Sequence, residues 1–212
     1  LSFRDNVPRW IQGPNGADPG ARDFLHGYYA CTLGIDDEVA RVMDALRRLR
    51  LDEDTLVVLC SDHGEMGGSH GRYRKGIWYE EAIRVPLVFR WSGVIEPREF
   101  TFPATLCDIV PTVLSSIGAT VPEQLHGDDL TPLITGVGTV DRSTAYMVRR
   151  EDGLFQWRGV RNERFKYCEA VNFPDLGVLF DLARDPWEED NLVSLPAWSD
   201  LRDVMRAELQ GW

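Results

Sequence analysis

Thr55-Leu56-Val57-Val58-Leu59-Cys60 is a short apolar stretch with no polar position alternating through it. A run that brief and that continuous, bounded by polar loops, is the pattern of a central parallel strand covered on both faces. The segment before it is helical by spacing. Ile35, Val39, Val42, Met43, Leu46 and Leu49 recur three and four apart, so a helix is expected from Phe24 to about Leu49. Within it Asp36, Asp37 and Glu38 precede Arg47, Arg48 and Arg50, an order that suits the helix dipole. Val85-Pro86-Leu87-Val88-Phe89 reads as a second buried strand, with Pro86 near its start, where a missing N–H is tolerated. A further helix is expected over Thr105 to Ile117, closed by Gly118. This alternation predicts an α/β class, part of a mostly parallel sheet flanked by helices.

The character changes after about Val140. Thr144–Arg150, Phe155–Val160, Phe165–Ala170 and Val178–Leu182 read as short strands rich in aromatic and β-branched residues. A helix from Ser199 to Leu209, apolar at Leu201, Met205 and Leu209, closes the chain. The expectation is a small antiparallel sheet plus a C-terminal helix. The domains are then 1–140, an α/β part, and 141–212, a small α+β subdomain. The Pro-, Gly- and Asn-rich first twenty or so residues read as an irregular connection.

With 23 basic and 34 acidic residues the chain carries −11, which argues against a nucleic-acid partner, since phosphate backbones reward clustered Lys and Arg. No apolar run approaches the roughly 20 residues that span a bilayer, so no membrane partner is expected. Leu1-Ser2-Phe3-Arg4 has neither an initiator Met nor a signal pattern. A cut chain is expected, and the amino end does not report on location. Cys31, Cys60, Cys107 and Cys168 form no Cys-x-x-Cys pair and read as free, mostly buried thiols, which leans towards a reducing, cytoplasmic compartment.

The chemistry-bearing stretch runs from Cys60 through Ser61-Asp62-His63-Gly64-Glu65-Met66-Gly67-Gly68-Ser69-His70-Gly71-Arg72-Tyr73-Arg74-Lys75-Gly76. It starts where the strand ends, the place where open α/β sheets hold ligands. Asp62 offers hard oxygen and His63 an imidazole nitrogen, a mixture that suits Ca²⁺, Mn²⁺ or Zn²⁺. Neighbours in a strand point to opposite faces, so the two converge on one ion only if the strand breaks, which Gly64 permits. Lys75 is a mobile point charge for a sulfate or phosphate oxygen, and His70 can hydrogen-bond an ester or shuttle a proton. Taken singly, each has a plainer reading. Asp-His-Gly is a common turn, Lys75 a solvated side chain, Glu65 a supporting or helix-capping carboxylate, and Arg72 and Arg74 surface charges.

Taken in order, these residues resemble the type I sulfatases of the alkaline phosphatase superfamily. The likeness rests on Ser61-Asp62-His63-Gly64-Glu65-Met66, Ser69-His70-Gly71, Lys75-Gly76, Tyr79-Glu80-Glu81 and Arg84-Val85-Pro86-Leu87. It extends upstream to Tyr28-Tyr29-Ala30 and Gly34-Ile35-Asp36-Asp37. Downstream it includes Asp108-Ile109-Val110-Pro111-Thr112, His126-Gly127-Asp128-Asp129-Leu130, Arg164-Phe165-Lys166-Tyr167, Leu179-Phe180-Asp181-Leu182 and Asp185-Pro186-Trp187-Glu188. The resemblance implies that Asp62 and His63 are the two later ligands of one divalent metal, Ca²⁺ foremost with Mn²⁺ next. Many relatives carry Asn in place of that His. It implies that Lys75 contacts the sulfate group and that His70 lies near it. Ser69 departs from the acidic residue common before that His.

The family's nucleophile motif, Cys/Ser-x-Pro/Ala-x-Arg with the Cys converted to formylglycine, has no counterpart around any of the four cysteines. The formylglycine and an amino-terminal Asp pair are therefore expected in a missing N-terminal half. The reading is a fragment of a sulfuric ester hydrolase acting on a sulfate ester or related anionic ester. The alternatives are a phosphonate or phosphate ester hydrolase of the same superfamily, and a non-catalytic binding or structural module. Uncovered sheet and helix faces lead to the expectation of the missing half or association with another copy. The chain by itself is expected to release no sulfate from an aryl sulfate; phenol appearing above the buffer rate would overturn that.

Overall fold

A computed structural model of the chain describes residues 19–150 and 155–212. The irregular connection expected over the first residues lies almost wholly outside them. The described chain divides into two compact units: one holds 19–75 and 81–94, the other 76–80 and 95–212. The change of character near Val140 falls inside the second.

The first unit opens with helix α1 (Pro19–Leu49), longer at its start than the periodicity implied. Val39, Met43 and Leu46 are half-buried, whereas Ile35, Val42 and Leu49 are exposed, so only part of the apolar stripe is covered. Asp36, Asp37 and Glu38 lie in mid-helix rather than in the first turn, which holds no acid; dipole complementarity is confined to Arg47 and Arg48 in the last turn. The helix closes in a Schellman arrangement. Leu51 N–H reaches the Leu46 carbonyl (2.9 Å), Arg50 N–H reaches Arg47 (3.0 Å), and Arg50 itself is left-handed at φ 57°.

Strand β1 (Val57–Cys60) follows, then the one-turn helix α2 (Glu80–Ile83) and strand β2 (Leu87–Arg90). Here the structure corrects the expected mostly parallel sheet. β1 and β2 pair with each other antiparallel, Val57 opposite Arg90 and Cys60 opposite Leu87. The chain leaves β1 at Cys60 and returns at Leu87 beside it, so the intervening loop acts as a long hairpin connection rather than a crossover. Nor are these strands covered on both faces, for Leu59 is 40% and Val88 49% exposed.

The second unit contains helix α3 (Ile109–Ser116), the short α4 (Thr131–Thr135), strands β3 (Ala145–Arg149), β4 (Trp157–Arg161), β5 (Phe165–Ala170) and β6 (Phe173–Asp181), and helix α5 (Ser199–Gly211). The strands form a meander in chain order, every pairing antiparallel, with a bulge between Glu169 and Ala170. This is the small antiparallel sheet with terminal helix that the sequence pattern called for. Its core is Val160, Tyr167 and Leu179 from the sheet against Met205 and Leu209 of α5. Leu201, Phe165, Leu192 and Trp198 pack around them. No helix among the described residues is long and apolar enough to cross a membrane.

The cysteine expectation holds for pairing and fails for burial. All four are free, but only Cys168 is buried, because the others sit on partly covered elements of which β1 is one.

Asp108, fully buried, organises the region around α3. Its carboxylate accepts from Thr105 N–H (2.7 Å) and Asp128 N–H (2.9 Å), and both Arg142 Nη atoms donate to it. Gly127 is required beside it, since a Cβ there would lie 2.1 Å from the Cys107 carbonyl oxygen. Burial pushes the Asp108 carboxyl up, yet Arg142 and the two N–H donors outweigh it and hold the group below its ordinary 3.8. Its contribution is therefore fully present above about pH 3.8 and lost as pH falls through the depressed folded value. Asp108→Asn is expected to cost about 3 kcal/mol in urea unfolding at neutral pH, since Arg142 loses its buried counter-charge. The gap to wild type should shrink below that pH; a pH-independent gap would contradict the assignment.

Candidate functional site

Beyond β1, Ser61 Oγ–H donates to the His63 carbonyl (2.8 Å), so the strand turns at once instead of continuing. Gly64 N–H then donates to the Ala82 carbonyl (2.9 Å). A Cβ on Gly64 would stand 1.9 Å from the Glu81 carbonyl oxygen, so only glycine lets the two stretches approach this closely. The rest of the loop folds back on itself. Met66 N–H donates to the Arg74 carbonyl (2.8 Å) and Gly68 N–H to that of Arg72 (2.7 Å). Gly67, Gly68, His70, Gly71 and Arg74 all have positive φ, which makes the reversal tight.

Carboxylates and a hydroxyl fasten this loop from within. Glu65 Oε1 accepts from Gly67 N–H (3.2 Å) and from Arg74 N–H, tying the two limbs together. Buried Ser69 donates its hydroxyl to the Glu81 carboxylate. The departure from an acidic residue at 69 has a local counterpart, because two carboxylates facing each other here would repel.

Asp62 and His63 are brought together. His63 N–H donates to Asp62 Oδ1 (2.9 Å), and His63 Nε2 stands 3.3 Å from Asp62 Oδ2. The other ring nitrogen, Nδ1, lies 2.9 Å from the Gly64 carbonyl oxygen. A carbonyl only accepts, so in the neutral ring Nδ1 carries the proton and Nε2 presents its lone pair towards the carboxylate. A cation between them, or a proton on Nε2, reconciles the pair. Ligand atoms about 2.1–2.4 Å from one ion and at right angles to each other are about 3.2 Å apart. The Asp62–His63 edge thus fits one side of a divalent-metal coordination sphere, with the imidazole fixed by its second nitrogen as metal-bound histidines are. The Asp62 side chain is 83% exposed and open to such an ion. Among the described residues no group of three or more His, Cys, Asp or Glu side chains that could hold a metal ion is assembled.

His70 sits half-buried at the loop tip in a left-handed conformation, φ 52°. Lys75 is exposed on the returning limb directly after Arg74 and is not bonded to Asp62 or His63. Glu81, whose side chain and carbonyl both shape the loop, carries no local signal in the sequence beyond its place in the Tyr79-Glu80-Glu81 motif.

Comparison with known proteins follows these lines. Residues 68–212 match the family model described as N-sulphoglucosamine sulphohydrolase, C-terminal, and residues 5–119 match that described as sulfatase. An ulvan-active sulfatase of Formosa agariphila is 29% identical over 89% of this chain and 38% of its own length. A solved structure in complex with its substrate, D-glucosamine-2-N,6-O-disulfate, is similar at 26% identity and a TM-score of 0.75, over 85% of this chain and 38% of that one. The phosphonate monoester hydrolase of Agrobacterium radiobacter is similar at 28% identity and a TM-score of 0.75, over 87% of this chain and 40% of its own. The chain thus spans well under half the length of these relatives, 38% to 40%.

The loop geometry makes a paired prediction. Gly64→Ala is expected to lower stability by roughly 1–3 kcal/mol, because the Glu81 backbone must move. Gly71→Ala, with open space around its Cβ, should cost only its positive φ, about 1 kcal/mol. Urea unfolding of both variants checks the order, and equal losses would contradict it.

Proposed function

Since the chain belongs to the sulfatase family, we propose that the complete protein hydrolyses sulfate esters and that Asp62, His63, His70 and Lys75 are this chain's part of the active site. The observation that carries the reading is the Asp62–His63 edge, a carboxylate oxygen and an imidazole nitrogen 3.3 Å apart, a spacing that suits two ligands of one cation. Asp62 Oδ2 and His63 Nε2 hold a divalent metal, Ca²⁺ by the hardness of the family's oxygen-rich set, with Mn²⁺ second. When bound, the metal supplies positive charge to neutralise a sulfuryl group.

The chain's own residues do the rest of what is assigned here. Gly64 and Ser61 hold the turn that makes two sequence neighbours converge. The exposed ammonium of Lys75 binds a sulfuryl oxygen, and its charge counts for more as negative charge builds there. His70 holds a proton near the ester oxygen, where the leaving alcohol needs one. A formylglycine hydrate, the group the family resemblance implies, would supply the attacking oxygen in the complete protein.

A second reading has a specific observation behind it. The similarity to a phosphonate monoester hydrolase, at 28% identity, favours a phosphonate or phosphate ester as the substrate of the same site. Sulfuryl and phosphoryl groups share shape and in-line geometry, so the same metal and lysine would serve either.

The test is kinetic, on the complete protein. Lys75→Ala is expected to lower kcat/KM for 4-nitrophenyl sulfate about 100-fold, the usual loss when one transition-state donor is removed. Chelation should abolish turnover and Ca²⁺ should restore it in the wild type but not in Asp62→Ala. Full turnover by both variants would sink the assignment, and a higher kcat/KM on the matching aryl phosphonate would select the second reading.

A further inference from the structure

Asp62, His63, Lys75 and the loop between them all lie within the first compact unit. The turn that carries Asp62 and His63 has its own bonds, from the Ser61 hydroxyl to the His63 carbonyl and from Gly64 N–H to Ala82. From there the loop runs out through 65–69 and back through 72–75. Two backbone rungs pair the limbs, Met66 N–H on the Arg74 carbonyl (2.8 Å) and Gly68 N–H on that of Arg72 (2.7 Å). Residues 76–80 then belong to the second unit, where the Gly76 carbonyl accepts from Arg149 Nη1 (2.6 Å) and Trp157 Nε1 (3.2 Å). Within the first unit the hold on Lys75 comes from the residues that precede it.

Lys75 follows Arg74 directly, and both backbone polar groups of Arg74 are engaged. Its carbonyl, which shares a peptide plane with the Lys75 N–H, accepts from Met66. Its own N–H donates to Glu65 Oε1, which also accepts from Gly67 N–H (3.2 Å). Arg74 is left-handed at φ 71°, a conformation that a residue other than glycine keeps where its surroundings hold it. One half-buried carboxylate oxygen, two residues after His63, thus ties the residue before the lysine to the outgoing limb. Bonds to a carboxylate are stronger than those between neutral groups. Both of these go to backbone N–H groups, so Glu65 acts on the lysine through the chain and not by pairing with its charge.

We propose that Glu65 is a positioning residue for Lys75: by accepting the Arg74 N–H it holds the left-handed turn from which the lysine springs, and so fixes the root of the ammonium's stem relative to Asp62 and His63. The role rests on the reading of Lys75 as the anion-contacting lysine. A lysine is a point charge on a flexible four-carbon stem, and any freedom at the root widens the space over which that charge is spread. The two backbone rungs set how the limbs pair. The carboxylate sets the one residue between the last rung and the lysine.

The experiment is a double-mutant cycle in the complete protein. It is read by the inhibition constant of inorganic sulfate, by kcat/KM for 4-nitrophenyl sulfate and by the Ca²⁺ concentration that restores half the activity. Glu65→Ala removes the acceptor, whereas Glu65→Gln keeps an acceptor oxygen of the same reach. Glu65→Ala is expected to weaken sulfate inhibition and kcat/KM about tenfold, the scale of a hydrogen bond to a carboxylate, and by less than about twofold when Lys75 is already alanine. Glu65→Gln should keep both within about threefold of wild type. Neither variant should shift the Ca²⁺ requirement, because Ser61 and Gly64 hold the Asp62–His63 turn without Glu65. Equal losses from Glu65→Ala in both Lys75 backgrounds, or a raised Ca²⁺ requirement, would mean that Glu65 only supports the loop, and the positioning role would fall while the Lys75 reading stood. A Gln variant as impaired as the Ala variant would trace the effect to charge and overturn the role as well. If Lys75→Ala alone left sulfate inhibition and turnover unchanged, the Lys75 reading would fall and take the positioning role with it.

Discussion

A lysine with no exposed side-chain surface has to be answered by charge, and at Lys166 the answer comes from Glu80 and Glu188 together. The residues that meet there start far apart in the sequence: one from the first position of α2, one from β5, one from the connection after β6, with Arg161 of β4 completing the set. Burial pushes the Glu188 carboxyl up to about 7 against the pull of the Lys166 ammonium. For Glu80, Lys166 and Arg161 outweigh the same burial and hold the group low. Removing any one member would strand a buried charge, at a cost of roughly 3–5 kcal/mol. The register of β4 against β5 and the course of the chain after β6 are both tied to this arrangement.

Around it the second unit repeats one device, a buried or half-buried acid answered by an arginine. Asp108 with Arg142 joins the turn before α3 to the loop that carries Asp128. Asp181 with Arg164 closes the end of the β5–β6 pairing, through Nε at 3.0 Å and Nη2 at 2.7 Å. Glu169 with Arg158 ties β5 to β4, and Tyr167 and Arg206 extend that link to α5. Each bridges elements that apolar packing alone would leave free to slide, which is the use of directional bonds in a small sheet.

How much of this was legible in the sequence follows from the range of each interaction. Helix α1 and helix α5 show in three- and four-residue spacing, and β3 to β6 in aromatic and β-branched runs, because these patterns are local. The pairing of β1 with β2 was not legible. An apolar run states that a strand wants cover but not which strand provides it, and the antiparallel return is set by a loop closed at Gly64 and Ala82. The meeting of Asp62 and His63 follows from adjacency once Gly64 lets the strand break. Arg149 and Trp157 gave no local sign of a link to Gly76, since they lie 73 and 81 positions away.

That separation makes the timing of assembly uneven. Bonds within the loop after β1 span a few residues to about twenty, and their closure entropy is small. The bonds on 76–80 span 73 to 108 residues. In a chain emerging from the ribosome, the loop can close on itself long before β3, β4 and the segment holding Glu188 exist. The path of residues 76–80 is thus among the last parts of the second unit to be set, because every bond that fixes it waits for strands made much later.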